Sequence, residues 1–451
     1  MSEPIDELPV PIVSPAAETF GEADEATPGA ATSPRQERNR QSLAGNRDFR
    51  VLLVSQGVSS LGDAVSFTAL PLLVLALTGS GVAMGVVGAL QTLPDLVFGM
   101  VAGALADRSD RKRMMFGADL GRAVLTALIP LSVILGGPTM AIILVVAAPM
   151  SMLRSLFLAG YTASVPSLVG RAQLARANGI FETVYSAGYI VGPSIAGLLA
   201  AVIGPGLTLG IDAISFALSS LGLFLVQRSL RAPVDRPRTR IIDDIREGIQ
   251  YIVHHPLLRS AILLWGISSI VTAPIVAALA FRVTRDLGLS STILGVVLTA
   301  YGVGTVAGSL GATRLGRRAN VAVVLLVGEI ATGLALVGVA ALDPVPIIVG
   351  LAIVAGVAQS LVLVTYITLR TAHSPDHLLG RIGSTARVIS LGLQPVGMLV
   401  GGVLIDAIGG SRTIAAMGAA LCVLAIAFVP VRALRTTTMP PRSPSQPSGG
   451  G

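Results

Sequence analysis

The chain has 451 residues, 52% of them hydrophobic and only 13% charged, with a mean hydropathy of +0.77. Soluble domains carry about 25% charge, so composition excludes a soluble enzyme or binding module and specifies an integral membrane protein. The net charge of +7 is scattered over short loops rather than gathered in a patch, which excludes nucleic acid as a partner, and the lone Cys422 excludes disulfides and Cys-rich metal centres.

Residues 1–46 begin acidic and rich in Pro and Ala, without the basic start or apolar core of a secretory signal, and are expected to form a disordered cytoplasmic tail. A helix crosses the hydrocarbon core in about 20 apolar residues, and on that ruler twelve spans follow at roughly 50–77, 82–106, 114–136, 139–168, 177–203, 206–227, 259–283, 291–313, 320–341, 345–369, 383–408 and 411–431. Gly and Pro mark the joints, as in Thr78-Gly79-Ser80-Gly81 and Gly204-Pro205-Gly206. The polar stretch 228–258 divides the spans six and six. It is amphipathic near Ile241–Val253, which predicts a helix lying along the membrane surface. The expected organisation is therefore a tail (1–46), a six-helix half (47–227), a cytoplasmic linker (228–258), a second six-helix half (259–432) and a Pro/Ser/Gly-rich cytoplasmic tail (433–451).

Between the second and third spans, Arg108, Arg111, Lys112 and Arg113 crowd into a connection too short to be a domain. Short loops rich in Lys and Arg stay in the cytoplasm. With both termini inside, only Arg282, Arg285 and Arg412 face outward, while Arg122, Arg154 and Arg387 fall within spans. The halves also repeat at one common offset: Val101-Ala-Gly-Ala-Leu105 returns as Val306-Ala-Gly-Ser-Leu310. Arg176 with Val191-Gly192-x4-Gly197-x-Leu199 returns as Arg381 with Val396-Gly397-x4-Gly402-x-Leu404. Two repeated halves with a site between them at mid-membrane is a transporter architecture.

Ionisable groups inside spans are costly and face a cavity or a partner. Asp63 lies on a stripe of the first span with Gln56, Ser60 and Phe67; Gln91 and Asp95 share a face of the second; Glu329 is mid-span in the ninth. Such carboxyls can take a proton from one side and release it to the other, and Asp63, Asp95 and Glu329 are the coupling candidates. Arg154, Gln91, Arg387 and Gln394 are cavity candidates, the last two on one face of the eleventh span with Ser390. Glu182, Tyr185 and Tyr189 share a face of the fifth. Asp119 and Arg122, one turn apart near the end of the third span, read as an ion pair supporting the loop. Asp212 and Asp406 fall towards outer helix ends and read as structural. Lys112 is the only lysine, so no P-loop is possible, and neither a G-x-S-x-G elbow nor H-E-x-x-H is present. A non-enzymatic protein with no bound cofactor and no metal site, using the proton gradient as its energy source, is expected.

With these features in view, residues 48–432 resemble the major facilitator superfamily. Its loop signature G-x-L-A-D-R-x-G-R-[KR] is met by Gly103, Leu105, Ala106, Asp107, Arg108, Arg111 and Lys112, with Asp110 in place of glycine, a form that resembles the macrolide-efflux and siderophore-exporter branch. The antiporter signature of the fifth span is met by Gly188, Gly192, Pro193 and Gly197, with Ala196 replacing one glycine; the fourth-span signature R-x-x-Q-G has Arg154 but no Gln. The resemblance implies an all-α polytopic fold of twelve transmembrane helices in two pseudo-symmetric six-helix halves. It implies a conformational latch at Gly103, Asp107, Arg108, Arg111 and Lys112, with Asp119 and Arg122 behind it. The function expected is export of an amphipathic small molecule, an antibiotic or drug, in exchange for protons by alternating access. Alternatives are export of an endogenous siderophore, flipping of a lysophospholipid, or a non-transporting membrane sensor or scaffold. The partners expected are the small-molecule substrate, protons and the lipid bilayer, with the chain acting as a monomer in a bacterial inner (plasma) membrane.

Overall fold

Residues 43–106, 108–170, 173–228, 230, 241–315, 320–375 and 378–435 are described in a computed structural model; some side chains inside helices, that of Asp95 among them, lie outside the described set, as does Asp107. The first six long helices are α1 (Arg47–Thr78), α2 (Gly81–Ala106), α3 (Arg111–Ile134), α4 (Thr139–Val169), α5 (Leu174–Ile203) and α6 (Pro205–Leu225). A short α7 (Ile241–His254) leads into α8 (Pro256–Thr272) and α9 (Ile275–Phe281), which end in a π-turn at Arg282–Asp286. Then come α10 (Ser291–Leu315), α11 (Val321–Ala341), α12 (Val345–Ala372), α13 (Leu379–Gly392), α14 (Gln394–Phe428) and a terminal turn, α15 (Arg432–Arg435).

Eleven helical stretches among the described residues are long and apolar enough to cross a membrane. The last runs 48 residues, Arg381–Phe428. At 1.5 Å per residue that is about 72 Å, more than twice a hydrocarbon core of about 30 Å. Gly409 resolves the excess: its φ of 84° and ψ of 169° break α14, so the stretch crosses twice. Glycine tolerates this region because it lacks the Cβ that would clash.

Helix starts follow local chemistry. Asp110, which stands where the loop signature has glycine, is the N-cap of α3, its carboxylate accepting from the N–H groups of Lys112 (3.1 Å) and Arg113 (3.3 Å). Asn320 does the same for α11 through the Ala322 N–H at 2.9 Å. Each satisfies first-turn donors that have no partner within the helix.

Packing repeats between the halves. In the first, α2 lies on α4, α3 on α4 and α6, and α1 on α5 and α6. In the second, α10 lies on α12, and α11 on α12 and α14. The two halves meet where α2 lies on α14 and α5 on α10. The buried cores show how far that meeting extends. At the end opposite the chain termini one cluster runs through both halves, joining Leu70, Leu73 and Val87 to Ala278, Leu294 and Ile405. Nearer the termini each half has its own, around Phe49, Met115 and Phe181 in one and Leu258, Val321 and Ile382 in the other. The amphipathic α7 forms where expected. Its Ile252 joins the core of the second half, Glu247 pairs with Arg381 and Tyr251 donates to the His373 carbonyl, so its face is docked on protein.

Candidate functional site

A cavity of about 220 Å³ lies between the halves at mid-membrane. Among the described residues, the second half contributes only apolar side chains to it, Ala273, Val276, Ala277 and Met398. The ionisable groups described in its lining, Asp63, Arg122, Arg154, Tyr189 and Asp212, come from the first half, with Gln91, Thr92, Ser66 and Ser151 beside them.

The charge is organised around Arg122, which is 3% exposed. Its guanidinium binds Asp63 on α1 at 2.5 Å and Asp119, one turn back on α3, at 3.4 Å, and lies 3.8 Å from the centre of the Phe216 ring on α6. Asp212, also on α6 and 2% exposed, accepts from Ser66 Oγ at 2.5 Å and from Ser215 Oγ at 3.2 Å. Gly62 leaves room for it, since a Cβ there would stand 2.6 Å from Asp212 Oδ1. A buried charge needs a partner, and here one guanidinium serves carboxyls from two helices with a third acid close by. Asp119 Oδ2 and Arg122 Nε keep no hydrogen-bond partner among the described residues. The Tyr189 ring meets that of Tyr185 at a tilt (centroids 4.7 Å apart) and lies 6.2 Å from Phe67, giving the lining an aromatic side.

The structure redistributes several expected site residues. Arg122 and Asp119 belong to this mid-membrane cluster rather than to the loop, because Arg122 reaches across to α1. Asp212, expected to be hydrated near a helix end, is buried against Ser66. Gln91 and Arg154 are among the residues that line this cavity; Glu329, Arg387 and Gln394 are not. Glu329 is fully buried between α8 and α11, held by Ser268 Oγ at 3.0 Å with Oε1 unpartnered among the described residues. Arg387 is exposed on α13, and Gln394 is half-buried at the first residue of α14. The Asp95 side chain lies outside the described residues. A signal for Asp212 was present: Thr208, Asp212, Ser215 and Ser219 recur at helical spacing on one face of α6, and all four are buried.

In the loop, Arg111 is 5% exposed and donates from Nε to the Ala106 carbonyl (3.1 Å) and from Nη1 to the Ala163 carbonyl (2.8 Å). Lys112 Nζ donates to the carbonyls of Phe224 (3.0 Å) and Val226 (2.5 Å). The carbonyls of Ala106, Phe224 and Val226 lie at helix C-terminal ends, where the partial charge is negative, and with the Ala163 contact they tie α3 to α2, α4 and α6 within the first half. Arg108 is exposed, and a Cβ at Gly103 would meet nothing within 4 Å.

The glycine-rich face of α5 sets two close approaches. A Cβ on Gly188 would stand 3.3 Å from Leu61 N of α1, and one on Gly192 2.5 Å from the Ala64 Cβ. Further along, Pro193 and Gly197 face Gly295 of α10. There Ser291 Oγ donates to the Gly197 carbonyl (3.0 Å), Ser194 and Thr299 hydroxyls meet at 2.7 Å, and Thr299 donates to the Ile190 carbonyl at 2.8 Å.

Among known proteins, the family described as transmembrane secretion effectors matches residues 43–447. The multidrug efflux pump Tap of Mycolicibacterium fortuitum is 29% identical over 393 residues, 85% of this chain and 96% of that protein. The enterobactin exporter EntS of Escherichia coli O139:H28 is 26% identical over 381 residues, 83% of this chain and 88% of that one. Among solved structures, the nucleoside transporter NupG has a TM-score of 0.72 at 13% identity, covering 85% of this chain and 99% of its own. A bacterial homologue of the lysosomal transporter Spinster, inward-facing and unoccupied, has a TM-score of 0.67 at 16% identity, covering 90% and 93%.

Proposed function

Because the chain belongs to the transmembrane secretion effector family of the major facilitator superfamily, we propose that it exports an amphipathic small molecule, drug-like in character, in exchange for protons. The observation that carries this reading is the cavity between the halves, lined by apolar side chains from both and by ionisable groups, among the described residues, from the first half alone. With both termini in the cytoplasm, as the loop cations require, the shared core closes the outer end. Among the described residues the buried cores of the two halves are separate towards the cytoplasm, an arrangement that would admit cargo from inside.

The cycle follows from the charges. A proton arriving on Asp63 dissolves its ion pair with Arg122, and the guanidinium then rests on Asp119 alone. Because Asp63 lies on α1 and Arg122 on α3, that change loosens one helix of the half from another, which is how protonation would bias the two halves between states. The apolar lining (Phe67, Val87, Met398) receives the greasy part of a cargo and Asp212 a positive or hydrogen-donating part. Arg154 in the same lining supports, as a second reading, an acidic cargo such as a siderophore.

Everted membrane vesicles test the reading. Loaded with a proton gradient and offered ethidium, tetracycline, a macrolide or a catecholate siderophore, they should accumulate at least one compound and release it when the gradient is collapsed. Accumulation of none of them, by protein shown to be folded, would overturn it.

A further inference from the structure

At the end of the bundle opposite the termini, α2 starts with Gly81 as its first helical residue. The first N–H groups of any helix lack partners within it. Here the Ala83 N–H finds the Ser80 Oγ at 3.2 Å and the Met84 N–H the Ser80 carbonyl at 3.3 Å. The N–H groups of Gly81 and Val82 find a side chain from the other half: the carboxylate of Asp406, on α14, accepts from both, from Val82 at 3.0 Å, and from Ser80 Oγ at 2.7 Å. An anion at a helix N-terminus is favoured by the positive end of the dipole, and charge-assisted bonds are the stronger ones.

The carboxylate is fixed to its own half. Three residues beyond it the backbone breaks at Gly409, and Asp286 at the end of the π-turn accepts from the Ser411 N–H at 2.7 Å. The neighbouring Arg285 reaches across the same seam to the Leu75 carbonyl of α1 at 3.4 Å. The pseudo-symmetric seam, where α5 meets α10, has Ala201 at the repeat position of Asp406 and is joined by neutral hydroxyls and carbonyls instead.

We infer that Asp406 is a gating residue of the transport cycle, an outer latch that holds the mouth shut by capping α2 from the opposite half. Opening outward strips two amide donors of α2 of their acceptor and leaves the carboxylate without its three partners, so the latch weights the cycle towards the outward-closed state. This rests on the alternating-access reading above, and nothing in the Asp63–Arg122 cluster takes part in it.

The test is a distance measurement on the full chain in lipid nanodiscs, in a Cys422→Ala background with spin labels at Leu77→Cys and Leu342→Cys. Asp406→Ala should raise the ratio of long to short distances roughly five- to tenfold, the scale of losing a helix cap. Asp406→Asn, which keeps size and one acceptor, should raise it less, and Ser80→Ala, which keeps the carboxylate, least. That ordering supports the latch even if no cargo is transported, in which case only the exporter reading falls. Distances unchanged in both Asp406 variants, in protein that still transports cargo, would overturn the latch and leave the exporter reading intact.

Discussion

On α1 and α3 of the first half, Asp63 meets Arg122 at 2.5 Å; at the related contact of α8 and α11 in the second half, Ser268 meets Glu329 at 3.0 Å. Ser268 occupies the repeat position of Asp63. One packing plan therefore carries two chemistries: an ion pair with Asp119 and Asp212 around it, open to a cavity, and a hydroxyl–carboxyl pair sealed among helices. The first can change its pairing when a proton or cargo arrives. Among the described residues the second has no cation paired with it and no place in the cavity lining. The repeat gives both halves one scaffold, and the departure from symmetry puts the ionisable cluster in the first half, where the proposed coupling would reside.

The comparison is broken most forcefully at Arg122. Arg122→Ala leaves carboxyls buried without a cation, so transport should be lost and stability should fall by about 3–5 kcal/mol, the cost of orphaning a buried charge partner. Thermal unfolding in detergent beside a flux assay reads both. At α5, Gly192→Val forces side-chain atoms against Ala64, 2.5 Å from the ideal Cβ. A loss of about 1–3 kcal/mol is expected for such overpacking, whereas the same change at Gly350, where a Cβ meets nothing within 4 Å, should cost far less. Glu329→Gln keeps an acceptor for Ser268 and should shift stability by about 1 kcal/mol or less, with coupling intact.

The smallest effect is a pH dependence in the second half, outside the membrane spans. Burial, and secondarily the nearby His373 ring, push His255 below its ordinary value of 6.5. The folded chain then holds fewer protons than the unfolded one between that lowered value and 6.5, so stability rises with pH across this window and is lost as pH falls below 6.5. His255 Nδ1 accepts from the Leu258 N–H at the start of α8 (3.4 Å). Amide exchange at Leu258 should therefore quicken as the pH drops below 6.5, and a rate following only the intrinsic pH dependence of exchange would contradict this.

The membrane class, the helix positions and the joints were legible because an apolar ruler and Gly/Pro punctuation act along the chain. Even the double crossing from Arg381 to Phe428 was readable, since a continuous helix of that length fits no bilayer. The rotation of each helix about its axis was not, because packing sets it. That is why six residues expected on one cavity divide, with Asp63, Gln91 and Arg154 in the lining described and Glu329, Arg387 and Gln394 outside it. Arg122 was paired with Asp119 alone, because sequence spacing shows a neighbour one turn away but not a partner on α1. Asp406 escaped for a different reason: its partners are backbone N–H groups, which carry no residue signature, although an acid facing Ala201 across the repeat was a visible irregularity.

The central claim, that proton coupling resides in the first half, is tested most directly in liposomes with a trapped pH dye. Wild-type protein, Asp63→Asn and Glu329→Gln would each be given an imposed pH gradient and a transported compound. The account predicts substrate-triggered collapse of the gradient in the wild type and in Glu329→Gln, and its loss in Asp63→Asn. Collapse that survives in Asp63→Asn and disappears in Glu329→Gln would place the coupling in the second half and contradict it.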